Sequence, residues 1–127
     1  MNKSKRILLI DDDERITFGF SKYLQHPGVD VDCAHSLEKA QHCMATYQYD
    51  AAIIDLWLSS STEIEDFVCI RLLRACQKHC RILLLTDSED NRLQEQAKLF
   101  NVDLFYQKHI EPRIIKKTLE SFGIYTV

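Results

Sequence analysis

The sequence predicts an α/β domain: a parallel five-stranded sheet with helices on both faces. Three observations predict it. The short apolar runs Ile7-Leu8-Leu9-Ile10, Ala51-Ala52-Ile53-Ile54 and Ile82-Leu83-Leu84-Leu85 suit strands buried on both faces. Between such runs lie stretches whose apolar residues recur at helical spacing. The two kinds of segment alternate along the chain, β-α five times, which implies a parallel sheet packed between helices. Right-handed crossovers then bring all the strand C-termini to one edge, where such sheets bind ligands near the point of strand-order reversal.

In chain order, Ile7–Ile10 runs into Asp11-Asp12-Asp13. Three adjacent acids repel one another and need a cation, a cap or solvent. Asp13 is a credible N-cap for a helix to Gln25, with Ile16, Phe20, Tyr23 and Leu24 on its inner face. Pro27-Gly28 makes a turn. Val29–Ala34 alternates apolar and polar residues, as a strand with one less buried face does. Ser36 caps a second helix carrying Leu37, Ala40, Met44 and Tyr47 at helical spacing. Ala51–Ile54 is a buried strand ending on Asp55, and Ser59–Thr62 is a polar loop. A third helix is expected from Asp66 to about Lys78, with Phe67, Ile70, Leu73 and Cys76 inward. Ile82–Leu85 ends at Thr86-Asp87, and a fourth helix is expected over about Asn91–Phe100. Asn101 stands where a left-handed stop is wanted, which Asn tolerates. Leu104–Gln107 is a short strand ending at Lys108. Glu111 and Pro112 fit N-cap and N1 of a last helix to about Phe122.

Length and composition bound the function. The 127 residues suit one domain with a real core, with 46% hydrophobic and 28% charged residues. Sixteen basic and nineteen acidic residues give a net charge of −3, and no basic stripe points to nucleic acid. Only four apolar residues follow the basic cluster of Lys3, Lys5 and Arg6, too few for a signal peptide or a membrane span there. The five cysteines are odd in number, irregularly spaced and without a CxxC, which suits a reduced, intracellular chain. Cys76, His79 and Cys80 have no second ligand pair nearby, so a helix end is favoured there over a metal site.

The residues that end the buried strands are Asp11 and Asp12, Asp55, Thr86 and Lys108. Each is unremarkable alone. At successive strands of one parallel sheet they bring carboxylates, a hydroxyl and an ammonium to a common edge, a set suited to phosphoryl transfer. Clustered carboxylates bind Mg²⁺, which takes one or two of them plus waters and phosphate oxygens. A carboxylate can act as nucleophile and form an aspartyl phosphate. A metal and a lysine neutralise charge on the transferring group, and positioning supplies most of the rest.

ILLIDDDE at Ile7–Glu14, DAAIIDLWL at Asp50–Leu58, RILLLTD at Arg81–Asp87 and VDLFYQK at Val102–Lys108 together resemble the receiver domain of bacterial two-component response regulators. The resemblance runs from about Lys5 to Phe122. It implies a single-domain, flavodoxin-like (βα)5 three-layer sandwich of strand order 2-1-3-4-5, with residues 1–127 as the receiver and no effector domain. It implies Mg²⁺ held by Asp11, Asp12, Asp55 and the backbone carbonyl of Trp57. It also implies Asp55 as the phosphorylated residue, Thr86 as the switch hydroxyl, Lys108 as the family's lysine and Phe105 as the switch aromatic. The implied partners are a sensor histidine kinase or histidine phosphotransfer protein and a downstream effector. The output surface is the face of the fourth helix, last strand and last helix, where homodimerisation is also allowed. Neither nucleic acid nor membrane is an expected partner. The implied setting is a cytoplasmic phosphorelay, and the only chemistry expected is the domain's own phosphorylation and dephosphorylation.

Three places depart from the family pattern. Ser59 replaces the usual Pro, no Gly precedes the third helix, and the loop is longer, so Leu58–Glu65 is expected to form a mobile or partner-specific flap. His109 replaces the Pro that normally follows the lysine across a cis bond; the lysine's need to reach the phosphoryl group favours cis for Lys108–His109. Asp87 adds a carboxylate beside Thr86, and Trp57 is large for its position. Its bulk is expected to limit water attack and lengthen the phosphoryl lifetime.

Two other readings stay open on sequence. Asp11-x-Asp13, Thr86 and Lys108 resemble the motifs of a small haloacid-dehalogenase-type phosphatase, in which Asp11 is the nucleophile and Asp55 dispensable. A non-phosphorylated interaction module of the same fold is the other.

Overall fold

The computed structural model describes residues 4–55, 63–86, 95, 97–107 and 110–125, with residues 63–67 described by backbone alone. Five parallel strands, β1 (Lys5–Ile10), β2 (Val29–Ala34), β3 (Ala51–Asp55), β4 (Arg81–Thr86) and β5 (Leu104–Gln107), form one sheet in the order β2-β1-β3-β4-β5. The strand order reverses at β1, which lies between β2 and β3.

Alternation along the three central strands divides the core in two. Leu8, Ile10, Ala52, Ile54, Ile82 and Leu84 face one layer, packing with Ala40, Met44, Ile70 and Leu73 from helices α2 (Leu37–Thr46) and α3 (Glu63–Cys76). Ile7, Leu9, Ala51, Ile53, Leu83 and Leu85 face the other, against Leu24 of α1 (Glu14–Leu24) and Ile115 and Leu119 of the C-terminal helix (Pro112–Ser121). Both layers exclude water, which is why these strands lack the polar-apolar alternation of a half-exposed sheet. β2 is an edge strand and only its ends are buried.

The ends of elements follow local chemistry. The Asp13 carboxylate accepts the Arg15 N–H at 2.9 Å and caps α1, and Ser36 Oγ accepts Lys39 N–H at 3.1 Å and caps α2. Gly28 has φ +85° in the turn whose carbonyl accepts Lys5 N–H at 2.8 Å, a conformation that favours glycine. Asn101 adopts φ 57°, the expected left-handed stop, after helical residues at 97–98. Pro112 opens the C-terminal helix, although Glu111 gives it no side-chain cap.

Several expected details are corrected. In α1 the buried residues are Thr17 and Leu24, whereas Ile16 and Tyr23 are exposed, so the inner face is turned by about one residue. Thr17 can be buried because its hydroxyl is hydrogen-bonded within the fold. Helix α3 starts at Glu63 rather than Asp66 and ends at Cys76 rather than Lys78. Residues 63–65 are therefore helix and not flap. Cys76 points outward; the adjacent Gln77 is buried instead, accepting Tyr49 N–H at 2.8 Å and donating to the carbonyls of Met44 and Tyr47. Tyr47 is the C-cap of α2 and is largely exposed, with the Arg6 guanidinium 3.8 Å from its ring centre.

Candidate functional site

The site is built at the C-terminal edge of the sheet, beside the strand-order reversal. In the β1–β3 register Ile10 pairs with Ile54, so the next residues, Asp11 just past β1 and Asp55 at the end of β3, come side by side. Both are buried, at 6% and 8% exposure, and Asp55 Oδ1 is shut off from solvent. Two buried carboxylates on adjacent strands concentrate negative charge where water cannot screen it. Their burial follows from the apolar strands that deliver them and not from any apolar character of their own.

The loop from β1 to α1 sets the roles of the three consecutive acids apart. Asp11 N–H donates to the carbonyl of Ala34 at the end of β2, at 3.1 Å, and Asp11 Oδ1 accepts Asp13 N–H at 3.0 Å. Asp12 is exposed. Asp13 turns away to cap α1, and the Arg15 guanidinium, with the Arg15 N–H, holds its carboxyl below the usual carboxylate range. Asp13 thus belongs to the helix end, as expected.

Below the acids is a narrow hollow of about 10 Å³, roughly the room one water needs. Asp11, Asp55, Ile16, Thr17, Phe20, Ile53 and Leu85 line it. Thr86 ends β4, next along the sheet, and is 2% exposed. Phe105 of β5 pairs with Leu84 and packs half-buried on the α2–α3 layer. The structure therefore brings Asp11, Asp55 and Thr86 to the same sheet edge, with Asp12 on its outer rim. Trp57, Asp87, Lys108 and His109 lie outside the described residues, as do residues 58–62 of the expected flap and the Lys108–His109 bond.

The donor set bears on Mg²⁺. Among the described residues no three His, Cys, Asp or Glu side chains gather closely enough to hold a metal, so exposed Asp12 does not complete a three-carboxylate cluster with the other two acids. Asp11 and Asp55 remain a hard-oxygen pair, and one or two carboxylates are what Mg²⁺ usually takes from a protein. Among these residues the Cys76–His79–Cys80 segment also forms no metal group; Cys80 is buried, which pushes its thiol up to about 12.

Two contributors were not singled out in sequence. Thr17 lines the hollow, and His35, just past β2, meets the Thr17 hydroxyl through Nε2 at 2.9 Å. The sequence carried no signal for either, because the apolar spacing of α1 runs through Ile16 and passes Thr17 by.

The order of the sheet, its paired acids and the threonine at the next strand end define a doubly wound α/β domain with an acidic pocket at the topological switch point. Residues 7–120 match the model of the response regulator receiver domain, and the chain belongs to that family. Over 81 residues, 64% of this chain, it is 33% identical to a Salmonella typhimurium protein named "Probable transcriptional regulatory protein SilR". The match spans 34% of that relative's length. A two-component response regulator from Clostridium difficile superposes with a TM-score of 0.83 at 19% identity, covering 94% of this chain and 96% of that one. A CheY-like receiver domain protein from Methanospirillum hungatei JF-1 gives 0.81 at 18% identity, covering 94% of each. A Burkholderia pseudomallei response regulator solved with a phosphorylated aspartic acid, calcium ion and citrate gives 0.76 at 21% identity, covering 94% of this chain and 73% of that one. These structural likenesses establish the fold.

Proposed function

We propose that this receiver domain takes a phosphoryl group onto Asp55 from the phosphohistidine of a sensor kinase or phosphotransfer protein. The observation that carries the proposal is the buried Asp11–Asp55 pair on adjacent strands beside Thr86. An Asp55 oxygen attacks phosphorus, the P–N bond to the donor imidazole breaks, and the electron pair leaves with the imidazole nitrogen. The product is an acyl phosphate on Asp55. Asp11 and Asp55, with the Trp57 carbonyl, would hold Mg²⁺, whose charge offsets that of the carboxylates and the phosphoryl oxygens, and Asp12 would act from the rim through a metal-bound water rather than as a third direct ligand. The related Burkholderia structure, with a phosphorylated aspartate and a calcium ion, supports a divalent cation in this role.

Thr86 would donate its hydroxyl to a phosphoryl oxygen, and Lys108 would pair with another. Phe105 would follow Thr86 and carry the change to the face of the last strand and C-terminal helix, which engages an effector or a second copy. Trp57 would slow water attack on the acyl phosphate. The setting we propose is a cytoplasmic phosphorelay; among the described residues no helix is long and apolar enough to cross a membrane.

The experiment is labelling with a small-molecule acyl phosphate in the presence of Mg²⁺, followed by mass spectrometry of wild type and Asp55→Asn. The wild type should gain one phosphoryl group and the variant none. Phosphatase turnover that survives Asp55→Asn and is lost in Asp11→Asn would instead support the dehalogenase-type reading. No uptake and no Mg²⁺ binding would leave the interaction module.

A further inference from the structure

We propose that Thr17 and His35 are positioning residues of the acidic pocket, forming a bridge that fixes the Asp11–Asp13 loop before any cation or phosphoryl group arrives. The inference rests on the receiver reading and adds to it two residues that touch neither the metal nor the phosphoryl group.

The loop leaves β1 after Ile10 and enters α1 at Glu14. Its near end is held to β2, since Asp11 N–H donates to the Ala34 carbonyl at 3.1 Å. His35 is the next residue, so its imidazole rises from the strand end to which Asp11 is bonded. The far end of the loop is the first turn of α1. There Thr17 Oγ1 lies 3.1 Å from the Glu14 carbonyl and 2.9 Å from His35 Nε2. The hydroxyl has a single proton. With that proton donated to Glu14, a lone pair accepts the Nε2–H of His35, and both polar capacities of a residue only 3% exposed are used.

The bridge spans the loop from outside. Within it, Asp13 N–H donates to Asp11 Oδ1 at 3.0 Å and fixes the rotation of that carboxylate. Thr17 also lines the hollow under Asp11 and Asp55. A loop carrying adjacent like charges would otherwise spread them apart, and the bridge, the Ala34 bond and the Asp13 turn oppose that motion. Holding ligands in place in advance raises affinity by removing the cost of ordering them.

The test is calorimetric titration of the full chain with MgCl₂, paired with amide exchange at Asp13 in the metal-free protein. Thr17→Val keeps the shape of the side chain and removes the hydroxyl. It should weaken Mg²⁺ binding about three- to tenfold, the range of one net hydrogen bond, and speed Asp13 exchange by a similar factor. Thr17→Ser should restore both. His35 is exposed, so His35→Phe tests the bridge without disturbing the core. It should match Thr17→Val, and the double variant should be no worse than either single one. Asp11→Asn and Asp55→Asn are the controls for the underlying reading. If they abolish Mg²⁺ binding while Thr17→Val and His35→Phe bind as tightly as wild type, the bridge is overturned and the receiver reading stands. If the two controls also bind unchanged, both are overturned.

Discussion

Replacing Arg74 with Met should destabilise the domain by about 2–4 kcal/mol. Its guanidinium lies at the junction that orients β4 and β5, and donates to four backbone carbonyls: Phe100 at 3.0 Å, Lys78 at 3.1 Å, Cys80 at 2.9 Å and Asn101 at 2.8 Å. These carbonyls belong to the turn before β4 and the turn before β5, so one side chain joins the chain segments that deliver Thr86 and Phe105. The bonds to Phe100 and Cys80 are partly buried and those to Lys78 and Asn101 are exposed. Met preserves most of the apolar stem, and water replaces the donor at the exposed carbonyls. The loss then reflects the two partly buried acceptors, each worth about 1–2 kcal/mol from a charged donor. At about 4 °C per kcal/mol for a domain of this size, Tm should fall by ~8–16 °C. Arg74→Lys should recover less than half, because an ammonium lacks the planar fork. Urea denaturation with an unchanged m-value checks the figure. A loss below about 1 kcal/mol would refute the reasoning, since the fork would then do no more than water does.

Other perturbations test separate parts of the molecule. Leu83→Ala, at a fully buried position of β4, should cost about 2–5 kcal/mol by calorimetry or denaturant titration. Tyr49→Phe removes the 2.7 Å hydrogen bond to Asp32 Oδ2, a partly buried bond to a carboxylate, and should cost about 1–2 kcal/mol in urea. Asp13→Asn should keep Mg²⁺ affinity because Asn caps about as well, whereas Asp12→Asn, at the exposed rim, should weaken it but by less than Asp11→Asn does in the same titration. The ionised Asp13 has a lowered folded pKa, so its contribution is present above its unfolded pKa near ~3.9 and fades as pH falls through the folded value. The stability gap between wild type and Asp13→Asn should therefore close in acid. A phosphorylated Trp57→Ala variant should lose its phosphoryl group faster than wild type, as followed by the decay of labelled protein.

The strands were readable because burial on both faces leaves a plain mark, four apolar residues ending on a polar one. Ile7–Ile10, Ala51–Ile54 and Ile82–Leu85 all fall within the observed strands. Asp13, Ser36 and Asn101 behaved as local rules predict, because caps and left-handed stops depend on a few neighbouring atoms. Facing was harder. Ile16 and Thr17 are adjacent, and apolar spacing favours Ile16. The bond Thr17 donates to the Glu14 carbonyl and the one it shares with His35, eighteen positions away, satisfy its hydroxyl and allow Thr17 to be the buried one. Gln77 misled in the same way, since its partners are Tyr49, Met44 and Tyr47 on the far side of the α2–α3 layer. Of the candidate site, Asp11, Asp55 and Thr86 were legible because topology alone gathers strand ends. The exposed position of Asp12 was not, because it depends on the course of a loop.

The central claim is that Asp55 and its neighbours form a cation-dependent phosphoacceptor site. Its most direct measurement is Trp57 fluorescence during titration with Mg²⁺ and then beryllofluoride, an analogue of the phosphoryl group. Wild type should show a saturable change at each step, and Asp55→Ala should show neither. Unaltered fluorescence responses in Asp55→Ala would contradict the claim.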